Sequence, residues 1–430
     1  MSFGITAFFN PFLPVGQQRL DAVLTIRSDT EVGAGSAAGG RRVFGFIIDA
    51  SGSMAGEKLA QAKLATRRGI EKLGDADQFF VVSFASDATV VVAACNASAA
   101  NKSRAHEAVQ HIATAGSTKM SRGLSAARSQ VAQCGAGVIA STYLLTDGEN
   151  DGDDHDNLRA VVEQCVGAFQ CHCRGVGTAW KPDELRHISN RLLGTADAVP
   201  DASGLEEDLR AFIAGSMSKG IAGATLRLWS PKVVKVGVVR QMSPEILDLM
   251  PLARRIDDKT LELPLGAWGA EVRDYQLAFE LPVGAIGDEV LACRAALVYQ
   301  GPEGEVKVAC DPVAVKWSAD DALTTRIAKE VAHYTGQSEL ASSIEQGLAA
   351  KAGGNEEVAT RLLGRAVQIA ESTGNEEVTR RLRKVVDVVD AGAGTVRLRK
   401  SDKAADMALE LGATRTVRRR SSTTPDATQA

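Results

Sequence analysis

Oxygen-bearing side chains are closely spaced in three separate loops of this sequence. Asp49, Ser51 and Ser53 follow one short apolar run. Thr118 lies in a Gly-Ser-Thr-Lys segment, and Asp147 follows a second apolar run. Carboxylates and hydroxyls are hard donors, and these motifs contain no imidazole or thiolate, so the set favours Mg²⁺ or Mn²⁺ over Zn²⁺ or copper. The glycine between the serines permits a tight turn, so both hydroxyls can face one ion while a position stays open for water or a partner's carboxylate.

The elements that must position these loops alternate between apolar runs and helical periodicity over residues 41–218. The runs at residues 43–48, 79–84, 140–145 and 173–176 predict buried strands. Helical faces are indicated by Leu59, Ala62, Ala65, Ile70 and Leu73, and by Leu158, Val161, Val162, Cys165 and Phe169. Strand–helix alternation is typical of a doubly wound, mostly parallel sheet, an α/β fold. The site loops would lie at the carboxyl ends of its strands, where such sheets bind ligands.

The flanking segments predict a second architecture around this domain. Residues 19–27 alternate at period two, as a half-buried strand does, and residues 33–40 form a Gly-rich linker. Residues 219–318 contain short strands separated by Pro and Gly, which favours an antiparallel β-sandwich. We expect the N-terminal segment, residues 1–40, to contribute its strand to this sandwich. The α/β domain would then be an insertion.

An internal repeat marks the C-terminal region. Gly-Asn-Glu-Glu-Val occurs at residues 354–358 and again at residues 374–378. Each Asn can cap a helix whose first turn carries two glutamates, a favourable arrangement for the helix dipole. We therefore expect a helical bundle over residues 319–392. The Gly-, Arg-, Ser- and Thr-rich segment at residues 393–430 is expected to be a flexible basic tail.

Length, composition and charge narrow the class of protein. A chain of 430 residues is expected to form several domains, and 45% hydrophobic with 24% charged residues is typical of globular proteins. The net charge of -4 gives no general attraction to nucleic acid or to anionic membranes. Nucleic acid and membranes are therefore not expected partners.

The cysteines and the N-terminus indicate the compartment. Seven cysteines form an odd set without regular spacing, which favours free thiols in a reducing environment. Asn10, Pro11 and Pro14 interrupt the N-terminal apolar stretch, so we expect no secretion signal. No apolar run reaches the about 18 residues of a membrane-spanning helix. We expect a soluble, cytoplasmic protein.

The three loops together resemble those of the von Willebrand factor type A (VWA) domain. The matching motifs are Asp-x-Ser-x-Ser after the first strand, Gly-Ser-Thr-Lys-Met-Ser-x-Gly-Leu, and Leu-Leu-Thr-Asp-Gly. All five positions of that family's metal-ion-dependent adhesion site (MIDAS) are present. The resemblance covers roughly residues 41–218. It implies that Ser51 and Ser53 bind the metal directly, that Thr118 binds it in the ligand-engaged state, and that Asp49 and Asp147 act largely through waters.

The resemblance extends, more weakly, to the whole arrangement of domains. It is similar to that of intracellular bacterial VWA proteins, notably actinobacterial ones, and rests on segments such as residues 10–14, 174–178 and 331–336. Relatives of this kind are often associated with Ser/Thr kinases, phosphopeptide-binding domains or AAA+ ATPases. The resemblance therefore implies a non-enzymatic, metal-dependent scaffold that binds an acidic residue of a protein partner. The alternatives are a Mg²⁺-dependent hydrolase and an adaptor subunit for a AAA+ motor.

Other polar clusters have competing interpretations. The Ser and Asp residues of the three loops could simply cap helices, although capping does not require three distant loops to match. The acidic run Glu149, Asp151, Asp153, Asp154 and Asp156 could hold a second cation, but its spacing does not match a calcium loop, which favours a solvated loop that contacts a partner. Cys165, Cys171, His172 and Cys173 could bind zinc, but alternation on a strand favours buried thiols.

Enzymatic motifs are not apparent. The sequence contains no Gly-Lys-Ser or Gly-Lys-Thr phosphate loop, no Gly-x-Ser-x-Gly elbow and no metalloprotease His-Glu pair. None of its six histidines lies beside a credible nucleophile. These observations predict that the protein is not an enzyme.

Threonines in the basic tail are candidate phosphorylation sites. Thr414 has Val417 three residues on and Thr423 has Asp426, and both resemble threonines read by forkhead-associated domains. A phosphate would add nearly two negative charges and three acceptors for a partner's Arg cluster. We expect Thr414 to be the main site, with Thr416 and Thr423 as alternates. A solvated tail that binds no specific partner is an equally simple interpretation of the composition.

Overall fold

A computed structural model of the chain describes residues 2–29, 41–301, 303–400 and 403–418. The predicted Gly-rich linker at residues 33–40 lies outside these residues. The N-terminal segment forms three strands: β1 (Phe3–Phe9), β2 (Phe12–Pro14) and β3 (Arg19–Ser28). Of these, the sequence predicts only β3.

The α/β domain contains a sheet of six strands covered by helices. The strands are β4 (Arg42–Asp49), β5 (Gln78–Phe84), β6 (Ala88–Asn96), β7 (Ile139–Gly148), β8 (Gln170–Ala179) and β9 (Ala196–Val199). The helices are α1 (Glu57–Glu71), α2 (Ala99–Gln110), α3 (Met120–Gln133), α4 (His155–Cys165), α5 (Pro182–Arg191) and α6 (Leu205–Met217). The four predicted strands all lie within β4, β5, β7 and β8.

Strand β4 is central to this sheet and is buried on both faces. Val43 and Ile47 pack against one helical layer, while Phe44, Phe46 and Ile48 pack against the other. Burial of both faces explains why the strand is a continuous apolar run. The strand order is β6-β5-β4-β7-β8-β9, with all pairs parallel except β5 and β6. The adjacent strands β4 and β7 therefore end side by side at the carboxyl edge, which confirms the predicted fold class.

Two sheets form the β-sandwich, and all their strand pairs are antiparallel except β18 with β2. Its further strands are β10 (Ile221–Trp229), β11 (Lys235–Ser243), β12 (Leu247–Asp248), β13 (Arg254–Arg255), β14 (Thr260–Trp268), β15 (Val272–Glu280), β16 (Glu289–Gly301), β17 (Gly304–Ala309) and β18 (Val313–Ser318). One sheet has the order β1-β3-β15-β11-β12 and the other β13-β14-β10-β16-β18-β2, with β17 also paired to β16. Strand β3 pairs with β15 over nine residues, as the sequence predicts. The α/β domain is thus inserted between two strands of the sandwich.

The C-terminal region contains helices and a hairpin. Its elements are α7 (Asp321–Thr324), α8 (Lys329–Ala352), α9 (Glu356–Thr373), α10 (Glu376–Val385), β19 (Val386–Asp390), β20 (Thr395–Leu398) and α11 (Lys403–Gly412). The repeated asparagines cap helices as predicted, because Asn355 Oδ1 accepts from Val358 N and Asn375 Oδ1 accepts from Val378 N, each at 3.2 Å. Within the described residues, no helix is both long and apolar enough to cross a membrane.

The prediction of a flexible tail is wrong for the described part of residues 393–418. Met407 and Leu411 of α11 belong to one apolar core of the α/β domain. The chain after α11 lies along the sandwich, where Ile246 N donates to Thr414 O at 2.8 Å. Arg418 Nε donates to Asp274 Oδ2 at 3.0 Å. Arg418 therefore has an acidic partner in the sandwich, and Arg415 has one in the α/β domain, Asp197, which composition alone does not reveal.

The internal repeat offers a matched pair of asparagines. Asn375 is 1% exposed, and besides capping α10 it donates from Nδ2 to Arg415 O at 3.0 Å. We expect Asn355→Ala, at the exposed cap, to lower the free energy of unfolding by about 1 kcal/mol. Asn375→Ala should lower it by roughly 2–4 kcal/mol, because a buried carbonyl is also left unpaired. Urea denaturation of both variants measures the difference. Equal losses would contradict the docking of the C-terminal segment.

Candidate metal centre

Asp49, the last residue of β4, is fully buried and fixed by neutral donors. Its Oδ1 accepts from Ser51 N at 2.7 Å, and its Oδ2 accepts from Thr146 Oγ1 at 2.5 Å. Burial raises the pKa of the Asp49 carboxyl; hydrogen bonds from Thr146 and Ser51 oppose this rise, and the nearby Asp147 carboxylate adds to it. The carboxylate is thus oriented by the ends of two adjacent strands.

The serine turn brings two hydroxyls and a second carboxylate together. Ser51 Oγ lies 3.1 Å from Ser53 Oγ, and Ser53 Oγ donates to Asp147 Oδ1 at 2.6 Å. A short 3₁₀ turn over Gly52–Met54 shapes this loop, and the buried Met54 side chain anchors it in the core. The two carboxylates and both serine hydroxyls therefore form one connected network.

Thr118 approaches the same network from the third loop. It is 6% exposed, and Gly148, the last residue of β7, leaves room for its side chain. A Cβ placed on Gly148 would lie 3.0 Å from Thr118 Oγ1 and 3.5 Å from Ser53 Oγ. The structure thus brings together all five predicted site residues at the carboxyl edge of the sheet.

The acidic loop after β7 holds the Thr118 loop in place. Asp151 N donates to Thr118 O at 2.8 Å. Asn150 Oδ1 accepts from Met120 N at 2.8 Å, and the buried Asp154 accepts from Ser121 N at 3.1 Å and from Ser121 Oγ at 2.5 Å. Asn150 and Asp154 thereby accept hydrogen bonds from backbone N–H groups in the first turn of α3. Sequence reasoning missed this role, because the two residues lie some 30 positions from the helix they cap.

Comparison with known proteins identifies the family. The sequence model of the von Willebrand factor type A domain matches residues 45–209, and that of the von Willebrand factor type A C-terminal domain matches residues 368–415. A solved structure described as von Willebrand factor type A from Catenulispora acidiphila is 36% identical, with 97% of each chain covered and a TM-score of 0.89. The chain belongs to the VWA family. Domains of this family are generally protein-interaction modules.

Two more distant matches share the fold or part of the chain. The ArnB paralog VWA2 from Sulfolobus acidocaldarius is 14% identical, covers 96% of this chain and 98% of its own, and has a TM-score of 0.63. An uncharacterized protein of Synechocystis sp. is 27% identical over 207 residues, which are 47% of this chain and 49% of that protein. The match to the Synechocystis protein therefore spans about half of its length.

The donor set of this VWA domain fits a hard divalent cation. Three hydroxyls and two carboxylates converge here. Because Gly148 has no side chain, space remains beside the hydroxyls of Thr118 and Ser53. Oxygen donors of this kind suit Mg²⁺ or Mn²⁺. The arrangement can therefore hold an ion close to solvent, because Ser53 is exposed at the domain surface while Asp49 and Asp147 are buried beneath it.

The acidic run is largely committed to contacts within the VWA domain. Glu149 pairs with Lys181 and Asp153 with Lys119, each at 2.8 Å, in addition to the cap formed by Asp154. Across the described ranges, no group of three or more His, Cys, Asp or Glu side chains is arranged to hold a metal ion. The loop thus serves mainly to fix the position of Thr118.

The cysteine cluster lies in the core of the VWA domain. Cys171 and Cys173 are fully buried, with their Sγ atoms 3.9 Å apart on one face of β8. Burial raises the pKa of the Cys165 thiol to about 12, and burial lowers the pKa of His172 to about 3. His172 Nδ1 lies 3.0 Å from Thr195 Oγ1. These geometries agree with the interpretation as buried thiols.

Lys58 is a further site residue that sequence reasoning missed. Its Nζ forms an ion pair with Asp147 Oδ2 from the first turn of α1. A single lysine in a helical pattern gives no recognisable signal of a site, since lysines are mostly solvent-exposed. Lys58 lies in the Glu-Lys-Leu segment soon after the serine turn, and this position lets its side chain reach the site.

Gly148 provides a test of the site's geometry. We expect Gly148→Ala to weaken Mn²⁺ binding about tenfold, because the added Cβ would push the Thr118 hydroxyl out of place; a tenfold change corresponds to about 1.4 kcal/mol. Gly152→Ala is the matched control, since a Cβ at Gly152 meets nothing within 4 Å. Calorimetry with Mn²⁺ measures both affinities. Equal affinities for the two variants would show that the Thr118 hydroxyl is not part of the site.

Proposed function

We propose that this VWA protein is a non-enzymatic, metal-dependent interaction scaffold. The proposal rests on one observation: Asp49, Ser51, Ser53, Thr118 and Asp147 converge at the carboxyl edge of the sheet. This set would hold Mg²⁺ or Mn²⁺. When bound, the ion supplies an electrophilic centre that accepts a carboxylate oxygen from a protein partner.

The residues of the site would divide their roles by donor type. Ser51, Ser53 and Thr118 would present hydroxyls that bind the ion directly. Asp49 and Asp147 lie beneath them, orient the serine turn through hydrogen bonds and balance the charge of the ion, largely through waters. Since Mg²⁺ takes six oxygen ligands, protein hydroxyls alone do not complete its shell. An acidic side chain of the partner would fill an open position.

A Mg²⁺-dependent hydrolase and a AAA+ adaptor are the alternative functions. Hydrolysis would need a base free to activate water. Both site carboxylates are instead engaged, Asp49 by Ser51 and Thr146, and Asp147 by Ser53 and Lys58. This engagement favours binding over catalysis. Phosphatase and nuclease assays on wild type and Asp49→Ala distinguish the hydrolase.

We propose that the protein is cytoplasmic, on the state of its cysteines. All seven cysteines are free, and neither Cys171 nor Cys173 is bonded to the other despite their proximity. Unpaired thiols of this number suit a reducing compartment.

The threonines of the C-terminal segment are docked, which changes how they could act. Thr414 Oγ1 donates to Glu245 Oε1 at 2.8 Å, and Thr416 N donates to Pro244 O at 3.1 Å. A phosphate on Thr414 would place negative charge beside Glu245, so a kinase would need the segment to be released first. We propose that phosphorylation and forkhead-associated recognition are coupled to this release. Thr423 lies outside the described residues.

Partner capture tests the main proposal. The double variant Ser53→Ala, Asp147→Ala removes one direct and one supporting ligand of the metal. We expect this variant to lose Mn²⁺ binding and to capture no partner from a native lysate. Wild type treated with chelator should lose partner capture in the same way. Circular dichroism should stay unchanged, since neither Ser53 nor Asp147 is part of an apolar core. Capture that is insensitive to both chelator and substitution would contradict the proposal.

Mass spectrometry of protein from its native host tests the tail. We expect phosphate on Thr414, Thr416 or Thr423 under growth or stress conditions, with phosphorylation at Thr414 accompanied by faster amide exchange of residues 413–418. Substituting alanine for all three threonines together should reduce capture of a forkhead-associated partner. An unmodified segment, or unchanged capture by the triple variant, would rule out this role.

A further inference from the structure

The ion pair between Lys58 and Asp147 joins an accessible cation to a buried anion. The Asp147 side chain is 0% exposed, whereas that of Lys58 is 38% exposed. Asp147 Oδ1 is already bonded to Ser53 Oγ, and Lys58 Nζ contacts the other oxygen of the same carboxylate. The Lys58 ammonium thus neutralises the same carboxylate whose negative charge would stabilise a bound metal ion.

Lys58 also dominates the charge balance of the site. The hydrogen-bond donors to Asp49 are neutral, namely Ser51 N and Thr146 Oγ1. Among the residues that the structure describes, Lys58 is the one cation within ion-pair distance of either carboxylate. Buried carboxylates without a countercharge are strongly destabilising. Lys58 therefore neutralises half of the buried negative charge.

We propose that Lys58 is a resident counter-ion that competes with the metal and so sets the metal affinity of the site. The inference rests on the proposed function. Without metal, Asp49, Asp147 and Lys58 together carry a net charge of about -1 at neutral pH. A divalent cation raises this to about +1, and a partner's carboxylate returns it to about zero. Metal and partner therefore strengthen each other's binding, since each offsets the charge that the other introduces.

This coupling predicts that the site holds metal less tightly when it has no partner. The ammonium repels a divalent ion held by the same carboxylates, and this repulsion weakens binding. A partner's carboxylate relieves it and offers the ammonium a new anion. Lys58 is thus a determinant of affinity for the metal and of preference for an acidic partner.

Lys63 is a matched control on the same helix. It is a lysine of α1, but its Nζ donates to Gln110 O at 3.0 Å and does not contact the site. Lys63→Met removes the same charge from the domain as Lys58→Met. Lys58→Arg keeps a positive charge at the site on a side chain of different shape. The three variants separate the local ion pair from the overall field of the domain.

Calorimetry with Mn²⁺ at constant ionic strength tests the proposal on the full chain. We expect Lys58→Met to bind Mn²⁺ about tenfold more tightly than wild type, because one like charge is removed from the site. Lys63→Met and Lys58→Arg should stay within about twofold of wild type. In chelator, Lys58→Met should also melt at a lower temperature than Lys63→Met, and saturating Mn²⁺ should abolish that difference.

The outcomes separate this inference from the proposed function. Mn²⁺ binding of equal or lower affinity in Lys58→Met than in Lys63→Met would overturn the role of Lys58 alone. Failure of wild type and of every variant to bind Mn²⁺ would overturn both the proposed function and this inference. If Lys58→Met does not fold, Lys58→Gln removes the charge with a polar side chain of similar length, and the same comparison applies.

Discussion

The structure of the site depends on the burial of two carboxylates at the ends of adjacent parallel strands. Asp49 and Asp147 have no exposed surface, so each must be satisfied from within the protein. Backbone and hydroxyl donors satisfy Asp49, while a serine and a lysine satisfy Asp147. These donors fix the serine turn, which holds Ser51 buried and presents Ser53 at the surface. Because β4 and β7 are neighbours in the sheet, Asp49 and Asp147 lie close enough to act on one ion.

The rest of the chain braces the domain that carries this site. Asp197, on the edge strand β9, pairs with Arg381 of α10 and with Arg415 of the C-terminal segment, and Arg415 also pairs with Glu377. Burial opposes ionisation of Asp197, but Arg415 and Arg381 outweigh it and lower the pKa of this carboxyl. The same segment bonds to the sandwich through Thr414. One short stretch of chain therefore connects all three parts of the molecule.

Local sequence patterns predicted those strands and helices whose structure depends mainly on their own residues. Strand β4 is apolar because both its faces are buried, and Asn355 and Asn375 cap helices that start beside them. The half-exposed edge strand β6 lacks such a pattern and was not predicted. Residues that act across long separations were also missed: Lys58 reaches an aspartate 89 positions away. The docked segment resembled a disordered tail because the acidic partners of its arginines lie in distant parts of the sequence.

Anomalous diffraction from crystals grown with Mn²⁺ tests the central claim most directly, because it locates the ion without reference to any partner. The account predicts one strong peak in contact with the hydroxyls of Ser51, Ser53 and Thr118, with Asp49 and Asp147 beneath it. A peak only at another place, or none at these hydroxyls in crystals grown at saturating Mn²⁺, would contradict the assignment of the site.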